Sequence, residues 1–530
     1  MQSARGKRLG RVVSIMGAKV IVLLDHEIGR GTDVQMGALV KIARPNSRVF
    51  GLIEGLSIPM PLPDERDREL RVAEVGLMGE VFDDSFDSIG FRRGVSNLPS
   101  LDDAVMLADP EDTRAVYAHT NHQAVCIGTV HQDPTVSANI SVNDMLGKHF
   151  ALLGTTGTGK SCALTLILKG ILRQNPNAHV LLFDPHGEYG RAFGDQAEHL
   201  TVDSFKFPYW LFNFEEIAEV MFGQEKTDMA VEVMHLRELI LAAKLSFAKD
   251  VADASWITVD SPVPYALGEL SRLLDEKIGK LDNRAALGPY FNIRARLSSL
   301  QSDRRYAFVF STGVVVRDNL SAVLGRIFRV PANGRPICIL DLAGAPSEVL
   351  NVIVAVLCRM AFDLAFWGGQ QLPLLLVCEE AHRYAPQDAG LGFEPAKRGL
   401  ARIAREGRKY GVSLGVLSQR PSDLAPAILS QCNTVFAFRM TNEKDQEIIQ
   451  ATMSDASSAL FTSLPLLGNG ESIAVGEGVS VPMRVRMATL PPEERPRSSS
   501  ASFSDRWQLD DAPVSVLDRI VECWRGQKPA

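Results

Sequence analysis

The sequence predicts an α/β protein built on a parallel β-sheet with helices on both faces and a phosphate-binding loop at one strand end. From Asp144 onward, short apolar strands alternate with helical patterns, which is typical of such a sheet. The loop LLGTTGTGKSCALT, beginning at Leu152, follows one of these strands and precedes a helix. A small N-terminal β-rich domain, a helical insertion and a C-terminal arm complete the predicted organisation.

The N-terminal domain, residues 1–135, is predicted to be a small antiparallel barrel or sandwich. Between Gly10 and about Gly128 the chain alternates short β-rich runs with turns, as in RVVSIMGAKVIVLL, RVFGLIEGLSI and AVCIGTVH. This segment contains no recognisable site chemistry. We therefore expect it to serve in assembly or docking.

The sheet domain is predicted to comprise residues 136–207 and 306–488. Its later strands are VLLFDPHGEYG, ICILDLAG, LPLLLVCEEAH, GVSLGVLSQRP and TVFAFRM. Between residues 208 and 305 successive amphipathic helices replace this alternation, which predicts a helical insertion domain. Residues 489–530 include PPEERPRSSSASFSDRW and are predicted to form an extended arm that ends in a short helix.

Composition limits the class of protein. The 530 residues, of which 46% are hydrophobic and 22% charged, indicate a soluble globular protein of two or three domains. No uncharged apolar run has the length of a membrane span, and the N-terminal residues lack a signal-peptide core, so we expect a cytoplasmic location and no membrane. The seven scattered cysteines contain no CxxC pair, which disfavours a disulfide framework or a zinc site. The net charge of −7 argues weakly against DNA binding, although a pore lined by few residues of each subunit would not require a basic chain.

The loop after Leu153 has the P-loop spacing, with four residues between Gly154 and the Gly159-Lys160-Ser161 triplet. Small residues let backbone N–H groups point at a β-phosphate, and the following helix adds its positive dipole end. Lys160 is expected to reach the β- and γ-phosphates of ATP, and the Ser161 hydroxyl is expected to bind Mg²⁺. The predicted nucleotide-binding residues of the loop are Gly154, Thr156, Gly157, Thr158, Gly159, Lys160, Ser161 and Cys162. A glycine-rich turn that binds nothing is the alternative, and the loop alone does not distinguish a kinase, a GTPase, a transporter ATPase or a motor.

Two later strands end in polar residues that suit hydrolysis. LPLLLVCEEAH delivers Glu379 and Glu380 to the carboxyl edge of the sheet, where one carboxylate would hold Mg²⁺ and the other would activate water. GVSLGVLSQRP delivers Gln419, which could sense the γ-phosphate. A solvated strand end and a turn-capping amide are the alternatives.

The segment EPAKRGLARIAREGRKYG predicts a helix with an arginine stripe. Arg398, Arg402 and Arg405 recur at i, i+4 and i+7, on one face. Such a stripe can be a salt-bridged surface. Beside an active site it can instead supply an arginine finger to a neighbouring subunit.

Taken together, GTTGTGKS, FDPHGEY, FPYWLFNFEE, CEEAHRYAP and AREGRKYG with LSQRPSDL resemble the HerA helicase family of the FtsK/HerA motor superfamily. The resemblance extends from the N-terminal β-rich domain to about Val485. It implies a RecA-like ATPase domain and a homohexamer that hydrolyses ATP with Mg²⁺ and pulls duplex DNA through its central channel. The N-terminal domain would be the family's barrel, used for assembly and for docking a partner, and the arm would brace the next subunit.

The resemblance also implies roles for individual residues. Lys160 and Ser161 would bind phosphate and Mg²⁺, and Glu380 would activate water. The remaining implied roles are Mg²⁺ binding by Glu379, proximity to the nucleotide for Asp184, sensing by Gln419 and an arginine finger in trans from Arg405.

One position departs from the family pattern. The family often places arginine shortly before the P-loop, whereas this chain has Lys148 followed by His149. Lysine keeps the positive charge but lacks the planar fork of arginine. This departure weakens the case for contact between Lys148 and the nucleotide of the neighbouring subunit, although Lys148 stays a candidate for it.

Three other classes of protein share some of these features. The WGGQQ segment at Trp367 is similar to the signature of ABC-type ATPases, but it lacks the serine and runs directly into the LPLLLV strand. A nucleotide kinase would not need the Glu379-Glu380 pair. A hexameric ring that mainly scaffolds and switches an effector enzyme stays open, since HerA-like proteins are associated with NurA-type nucleases and with antiviral effectors such as sirtuin-like NAD hydrolases.

Overall fold

A computed structural model describes residues 7–25, 34–59, 70–82, 90–117, 123–201, 204–249, 253–280, 284–303, 306–310, 317–345, 347–388, 390–452, 458–497, 503–508 and 514–526. The chain divides into two compact units. The P-loop unit comprises Met1–Asn175 and Ser413–Pro492, and the carboxylate unit comprises Pro176–Val412 and Glu493–Ala530.

The strands in the described ranges follow one another along the chain as β1 (Arg8–Met16), β2 (Lys19–Leu24), β3 (Leu39–Ala43), β4 (Ser47–Ser57), β5 (Val72–Phe82), β6 (Arg92–Arg93), β7 (Ala104–Leu107), β8 (Ala124–Val130), β9 (Asp133–Ser141), β10 (Phe150–Leu153), β11 (Val180–Asp184), β12 (Ala197–Thr201), β13 (Ile337–Asp341), β14 (Leu374–Cys378), β15 (Val412–Ser418), β16 (Thr434–Phe438), β17 (Glu471–Gly476) and β18 (Met483–Met487).

The α-helices in the same ranges are α1 (Pro110–Tyr117), α2 (Val142–Leu146), α3 (Lys160–Gln174), α4 (Gly190–Phe193), α5 (Phe214–Phe222), α6 (Ala230–Phe247), α7 (Leu267–Lys280), α8 (Arg284–Ser302), α9 (Ala307–Phe310), α10 (Leu320–Ile327), α11 (Ser347–Gly368), α12 (Glu394–Tyr410), α13 (Pro426–Leu429), α14 (Glu443–Thr452), α15 (Ser458–Phe461), α16 (Phe503–Gln508) and α17 (Val514–Gly526). Parts of the predicted arm, residues 498–502, 509–513 and 527–530, lie outside the described residues.

The N-terminal strands form a barrel, which decides between the two predicted alternatives. The strand order is β2-β1-β7-β3-β4-β5, and an additional antiparallel pairing of β2 with β5 closes the sheet. Alternate residues such as Val20, Val22, Val40 and Ile42 fill the interior and are almost completely buried. Closure leaves the six strands without free edges, which explains how so short a segment forms its own core.

The second sheet of the P-loop unit contains both parallel and antiparallel strands. β10 pairs in parallel with β15 on one side and β16 on the other. The antiparallel strands β17, β18, β8 and β9 continue the sheet beyond β16. The sequence placed AVCIGTVH, which is β8, with the N-terminal β-rich runs. The structure instead pairs β8 with β18, because local alternation identifies a strand but not its partner.

The carboxylate unit holds four parallel strands in the order β12-β13-β11-β14. Helices α5 to α9 lie in the chain between β12 and β13, where the sequence predicts the helical insertion. α5 begins at a capping box, in which the Asn213 side chain accepts from the Glu216 backbone and Glu216 bonds back to the Asn213 N–H. The predicted α/β fold with an N-terminal barrel is therefore confirmed.

One helix in the described ranges, the part of α11 from Val349 to Gly368, is long and apolar enough to cross a membrane by length and composition. Within this window 72% of the residues are buried inside the protein. Arg359, on the same helix, donates to Glu216 at 2.9 Å. These contacts are those of a core helix of a folded domain.

Candidate functional site

The backbone of the P-loop adopts conformations that suit its glycines. Gly154 and Gly157 have φ values of 154° and 76°. A Cβ on Gly154 would lie 2.6 Å from the Cβ of Phe438 on β16, whereas a Cβ on Gly157 would have no neighbour within 4 Å. Gly154 is thus required by packing and conformation, and Gly157 by conformation. The curled loop ends at Gly159, the N-cap of α3, so the first N–H groups and dipole of a 15-residue helix face the loop.

Lys160 is held inside the loop. Its Nζ donates to the carbonyl oxygens of Gly154 at 2.7 Å and Thr155 at 2.9 Å, and the side chain is 8% exposed. Thr158 Oγ1 donates to Thr155 O at 2.8 Å, which tightens the same turn. Ser161 and Cys162 follow in the first turn of α3, and Cys162 is exposed. This arrangement places one cation and a set of backbone donors around a single concave loop, which is the chemistry of a phosphate site.

Gln419 reaches the P-loop from the end of β15. Its Oε1 accepts a hydrogen bond from Thr156 Oγ1. β15 and β10 are parallel neighbours, so their carboxyl ends meet at the same edge of the sheet. The structure therefore brings Gln419 together with the loop residues, as the sequence predicts.

Sequence reasoning missed a second support of the loop, on the side of β16. The carbonyl oxygen of Arg439 accepts from both the N–H and the hydroxyl of Thr155, each at 3.1 Å. The Arg439 guanidinium donates to Asn469 Oδ1 at 2.9 Å, and the N–H of the next residue, Gly470, donates to Thr158 O at 3.0 Å. The available signal was that Arg439 is the first charged residue after the apolar run TVFAF. Arg439 thus adds a guanidinium next to a residue that supports the phosphate loop.

Lys148 lies at the opposite end of β10 from the P-loop. Its Nζ forms an ion pair with Glu477, and this pair lowers the pKa of Glu477. Asn433 ties the same corner together, because its N–H donates to Lys148 O at 3.2 Å and its O accepts from the Glu477 N–H at 3.2 Å. Lys148 therefore belongs to a different edge of the sheet from the loop that follows β10.

In the carboxylate unit, Glu379 and Glu380 directly follow β14, and each is only 6% exposed. Glu380 has a left-handed backbone, with φ 50° and ψ 46°, and begins the 3₁₀ turn Ala381–Arg383. His382 Nδ1 lies 3.3 Å from Glu380 Oε2. Both carboxylates thus lie at the carboxyl end of a parallel strand, where the sequence placed them, and both are buried.

Burial dominates the electrostatics of Glu379. It raises the pKa of this carboxyl to about 8, and the negative charges of Asp184 and Glu188 add to the effect. A hydrogen bond from Tyr189 Oη, 3.0 Å from Glu379 Oε1, opposes the shift. A buried group whose ionised form is disfavoured in this way is suited to bind a cation, which would restore the charged form.

Asp184 ends β11 and is completely buried. Its Oδ1 accepts from the N–H groups of His186 at 3.3 Å and Glu188 at 3.1 Å, and its Oδ2 accepts from the Tyr189 N–H at 3.0 Å. Burial raises the pKa of Asp184, although these backbone donors oppose the shift. Asp184 therefore fixes the turn of the FDPHGEY motif, a role that the sequence did not reveal.

The predicted arginine stripe divides into two kinds of contact. Arg398 forms ion pairs with Glu215 and with Glu394, and Arg402 lies 3.8 Å above the Phe362 ring centroid. Arg405 is exposed and its Nε donates to Ala401 O at 3.2 Å, one turn earlier. It forms no ion pair with another residue in the described part of the chain. Two arginines thus serve the fold of their own unit, whereas Arg405 presents its charge to the outside.

The candidate residues fall into two groups, one in each compact unit. The loop residues and Gln419 belong to the P-loop unit, and Asp184, Glu379, Glu380 and Arg405 belong to the carboxylate unit. Within the described ranges no cluster of three or more His, Cys, Asp or Glu side chains could hold a metal ion. A Mg²⁺ ion that takes oxygen ligands from nucleotide phosphates and one or two protein groups does not need such a cluster.

A P-loop that caps a helix on a parallel sheet, with buried carboxylates ending another parallel strand, defines the protein as a P-loop ATPase. Residues 125–361 match the family described as "Helicase HerA, central domain". The resemblance to the HerA helicase family found in the sequence is thereby confirmed.

Two curated relatives and one solved structure illustrate the similarity. The chain is 25% identical over 506 residues to the DNA double-strand break repair helicase HerA of Pyrococcus furiosus, across 86% of each chain. It is 24% identical over 501 residues to a probable helicase of Methanocaldococcus jannaschii, across 90% of each chain. VirB4 of Thermoanaerobacter pseudethanolicus superposes with a TM-score of 0.52 at 16% identity, across 71% of this chain and 99% of VirB4, which shows the shared fold.

Proposed function

We propose that the protein is an ATP-driven DNA translocase that assembles as a homohexamer and draws duplex DNA through its central channel. The observation that carries the proposal is the P-loop itself, in which Lys160 and the start of α3 converge on one concave turn. The description of the Pyrococcus furiosus relative as a DNA double-strand break repair helicase supports DNA as the substrate of the motor. We also expect the protein to act in the cytoplasm.

The proposed roles of the loop residues follow from their contacts. The backbone N–H groups of the loop, including those of Gly157 and Gly159, would bind the β-phosphate of ATP. Lys160 would release the carbonyl oxygens of Gly154 and Thr155 and bind the γ-phosphate instead. Gln419, which accepts from Thr156, would sense whether the γ-phosphate is present. Loss of the γ-phosphate would then change the contacts of Gln419 at the end of β15.

The carboxylates would supply the chemistry of hydrolysis. Glu380 would accept the proton of the attacking water, and Glu379 with Ser161 would hold Mg²⁺. Bound Mg²⁺ would neutralise the charge that develops on the phosphates. Asp184 would act near the nucleotide by fixing the turn that follows β11.

Hydrolysis would be completed between subunits. Arg405 is exposed and lacks an ion pair within the described residues, which suits a finger inserted into the site of a neighbour. Lys148, at the other end of β10 from the P-loop, could contact only a nucleotide bound by another subunit, after release from Glu477. Both assignments require an oligomer, and a ring meets this requirement for every subunit.

A second candidate function is an ATP-switched hexameric scaffold for an effector enzyme, either a nuclease or an antiviral effector such as a sirtuin-like NAD hydrolase. The net charge of −7 favours it, because a chain that depends on phosphate contacts usually carries a basic excess. In both proposed functions, a partner nuclease or other effector would dock on the N-terminal barrel.

The experiment that tests the proposal is the ATPase rate of the purified protein with and without linear duplex DNA, at two salt concentrations, with the mass of the complex measured in parallel. The Lys160→Ala variant measures the background rate. Strong stimulation of a hexamer by duplex DNA, weakened by salt, is expected of the translocase. If the ATPase rate of the hexamer does not respond to DNA until another protein is added, the translocase proposal is wrong and the scaffold function is favoured.

A further inference from the structure

Tyr189 connects the FDPHGEY turn to the strand that carries the two carboxylates. Its side chain is completely buried, and its hydroxyl donates to Glu379 Oε1 at 3.0 Å. The two residues are separated by 190 positions in the chain, so the bond forms only in the folded unit. A buried tyrosine hydroxyl usually has such a partner, and this bond becomes charge-assisted when Glu379 is ionised.

The backbone of Tyr189 is fixed as firmly as its hydroxyl. Asp184 Oδ2 accepts its N–H at 3.0 Å, and Asp184 Oδ1 accepts the N–H groups of His186 and Glu188. Because Asp184 is the last residue of β11, these bonds anchor the turn directly to the sheet. Asp184, Tyr189 and Glu379 therefore form a continuous chain of hydrogen bonds from the end of β11 to the end of β14.

This chain of bonds restricts the side-chain torsions of Glu379. A glutamate has three side-chain torsions, and a single hydrogen bond to one carboxylate oxygen in a buried site restricts them together. Side chains that bind metal are commonly oriented by such outer partners, and loss of a partner typically weakens metal binding or activity about 10- to 100-fold.

We propose that Tyr189 is a positioning residue, whose hydroxyl holds Glu379 in the orientation that binds the Mg²⁺ of the nucleotide, while Asp184 holds Tyr189. The inference rests on the proposed function for the assignment of Glu379 to Mg²⁺. The inference assigns a role to the tyrosine of FDPHGEY, and it gives Asp184 an indirect role in the site, because the oxygens of Asp184 accept from backbone donors.

The test compares Tyr189→Phe with Tyr384→Phe in the full-length protein. Tyr384 is the matched control, because it is also completely buried and close in sequence to Glu380, and its hydroxyl makes no hydrogen bond within the described residues. Both variants lose one hydroxyl and keep the ring. A fluorescent, non-hydrolysable ATP analogue is titrated with Mg²⁺, and its binding is also measured in EDTA.

The expected result is that Tyr189→Phe raises the half-saturating Mg²⁺ concentration at least about tenfold, with affinity in EDTA unchanged, whereas Tyr384→Phe leaves both values at wild type. The Tm of each variant is measured beside these titrations. If Tyr189→Phe lowers the Tm but leaves the Mg²⁺ requirement unchanged, the hydroxyl is only structural and the proposal is overturned.

A third variant, Glu379→Gln, separates the two possible failures. If Glu379→Gln raises the Mg²⁺ requirement and Tyr189→Phe does not, the positioning role is wrong and the metal assignment stands. If Glu379→Gln also leaves the Mg²⁺ requirement unchanged, the assignment of Glu379 in the proposed function is wrong, and the role of Tyr189 falls with it.

Discussion

The two P-loop glycines that differ most in their surroundings give a quantitative test of the loop structure. In Gly154→Ala, the new methyl group would lie 2.6 Å from the Cβ and 3.2 Å from the Cα of Phe438, which is completely buried on β16. Overpacking of this kind costs about 1–3 kcal/mol. The backbone conformation, with φ 154°, costs an alanine about 1–3 kcal/mol more.

Gly157→Ala is the matched control, because it adds the same methyl group to the same loop. Nothing lies within 4 Å of the new Cβ, so the cost is that of φ 76° alone, about 1–2 kcal/mol. In both variants alanine also lowers the conformational entropy of the unfolded chain, which offsets about 0.4–1 kcal/mol of the destabilisation. We therefore expect Gly154→Ala to be the less stable variant by about 1–4 kcal/mol.

Scanning calorimetry of the full-length variants without nucleotide measures this difference. For a cooperative unit of roughly 250 residues, 1 kcal/mol corresponds to about 2 °C in Tm, so Gly154→Ala should melt about 2–8 °C below Gly157→Ala. Both variants should bind ATP poorly, because either methyl group disturbs the loop. Equal melting temperatures would mean that Phe438 does not pack against the loop at Gly154, and the packing argument would fail.

Three further changes test other assignments. Glu380→Gln should preserve ATP binding but lower turnover at least about a hundredfold, because the amide cannot take the proton of water; near wild-type hydrolysis would remove this base from the mechanism. Arg405→Ala should lower turnover about a thousandfold with little loss of nucleotide affinity, whereas the control Arg398→Ala should not; mixed rings of Arg405→Ala and Lys160→Ala subunits that recover no activity would count against action in trans. Burial lowers the pKa of Lys244 to about 8, so its charged form is disfavoured in the folded state below pH 8, and the penalty disappears as pH rises toward 10.5. In urea unfolding, the stability of wild type relative to Lys244→Met should rise by roughly 2–3 kcal/mol from pH 7 to pH 10. No rise would show that the carbonyl oxygens of Val259 and Ser261, which accept from Lys244 Nζ, already offset its burial.

The elements that the sequence predicted best are those whose signal is local. The P-loop needs particular residue types at fixed spacing, so the run from Gly154 to Ser161 predicts the loop conformation by itself. The strand that precedes Glu379 is visible because an apolar run stops at two charges. Parallel strands also deliver their ends to a common edge, which is why the contact of Gln419 with the loop could be expected before the structure.

The parts that could not be predicted depend on pairings between distant segments. Nothing in AVCIGTVH says that β8 will pair with β18, some 350 residues later, because a strand's pattern encodes which face is buried and not which neighbour it takes. The role of Asp184 as the anchor of its turn, and that of Arg439 as a support for Thr155, likewise depend on backbone groups that carry no sequence signature.

The backbone at Glu380 bears on the proposal that two consecutive carboxylates serve one site. In an extended strand, successive side chains point to opposite faces, so two glutamates that continued β14 would diverge. Glu380 instead adopts a left-handed conformation and starts a 3₁₀ turn, which ends the alternation immediately after Glu379. This conformation costs a non-glycine residue about 1–2 kcal/mol, which a glycine would not incur. Strain of this kind concentrates at functional sites. The conformation therefore lowers stability while it gives the Glu380 carboxylate a direction different from that of a continued strand, as the proposed base requires.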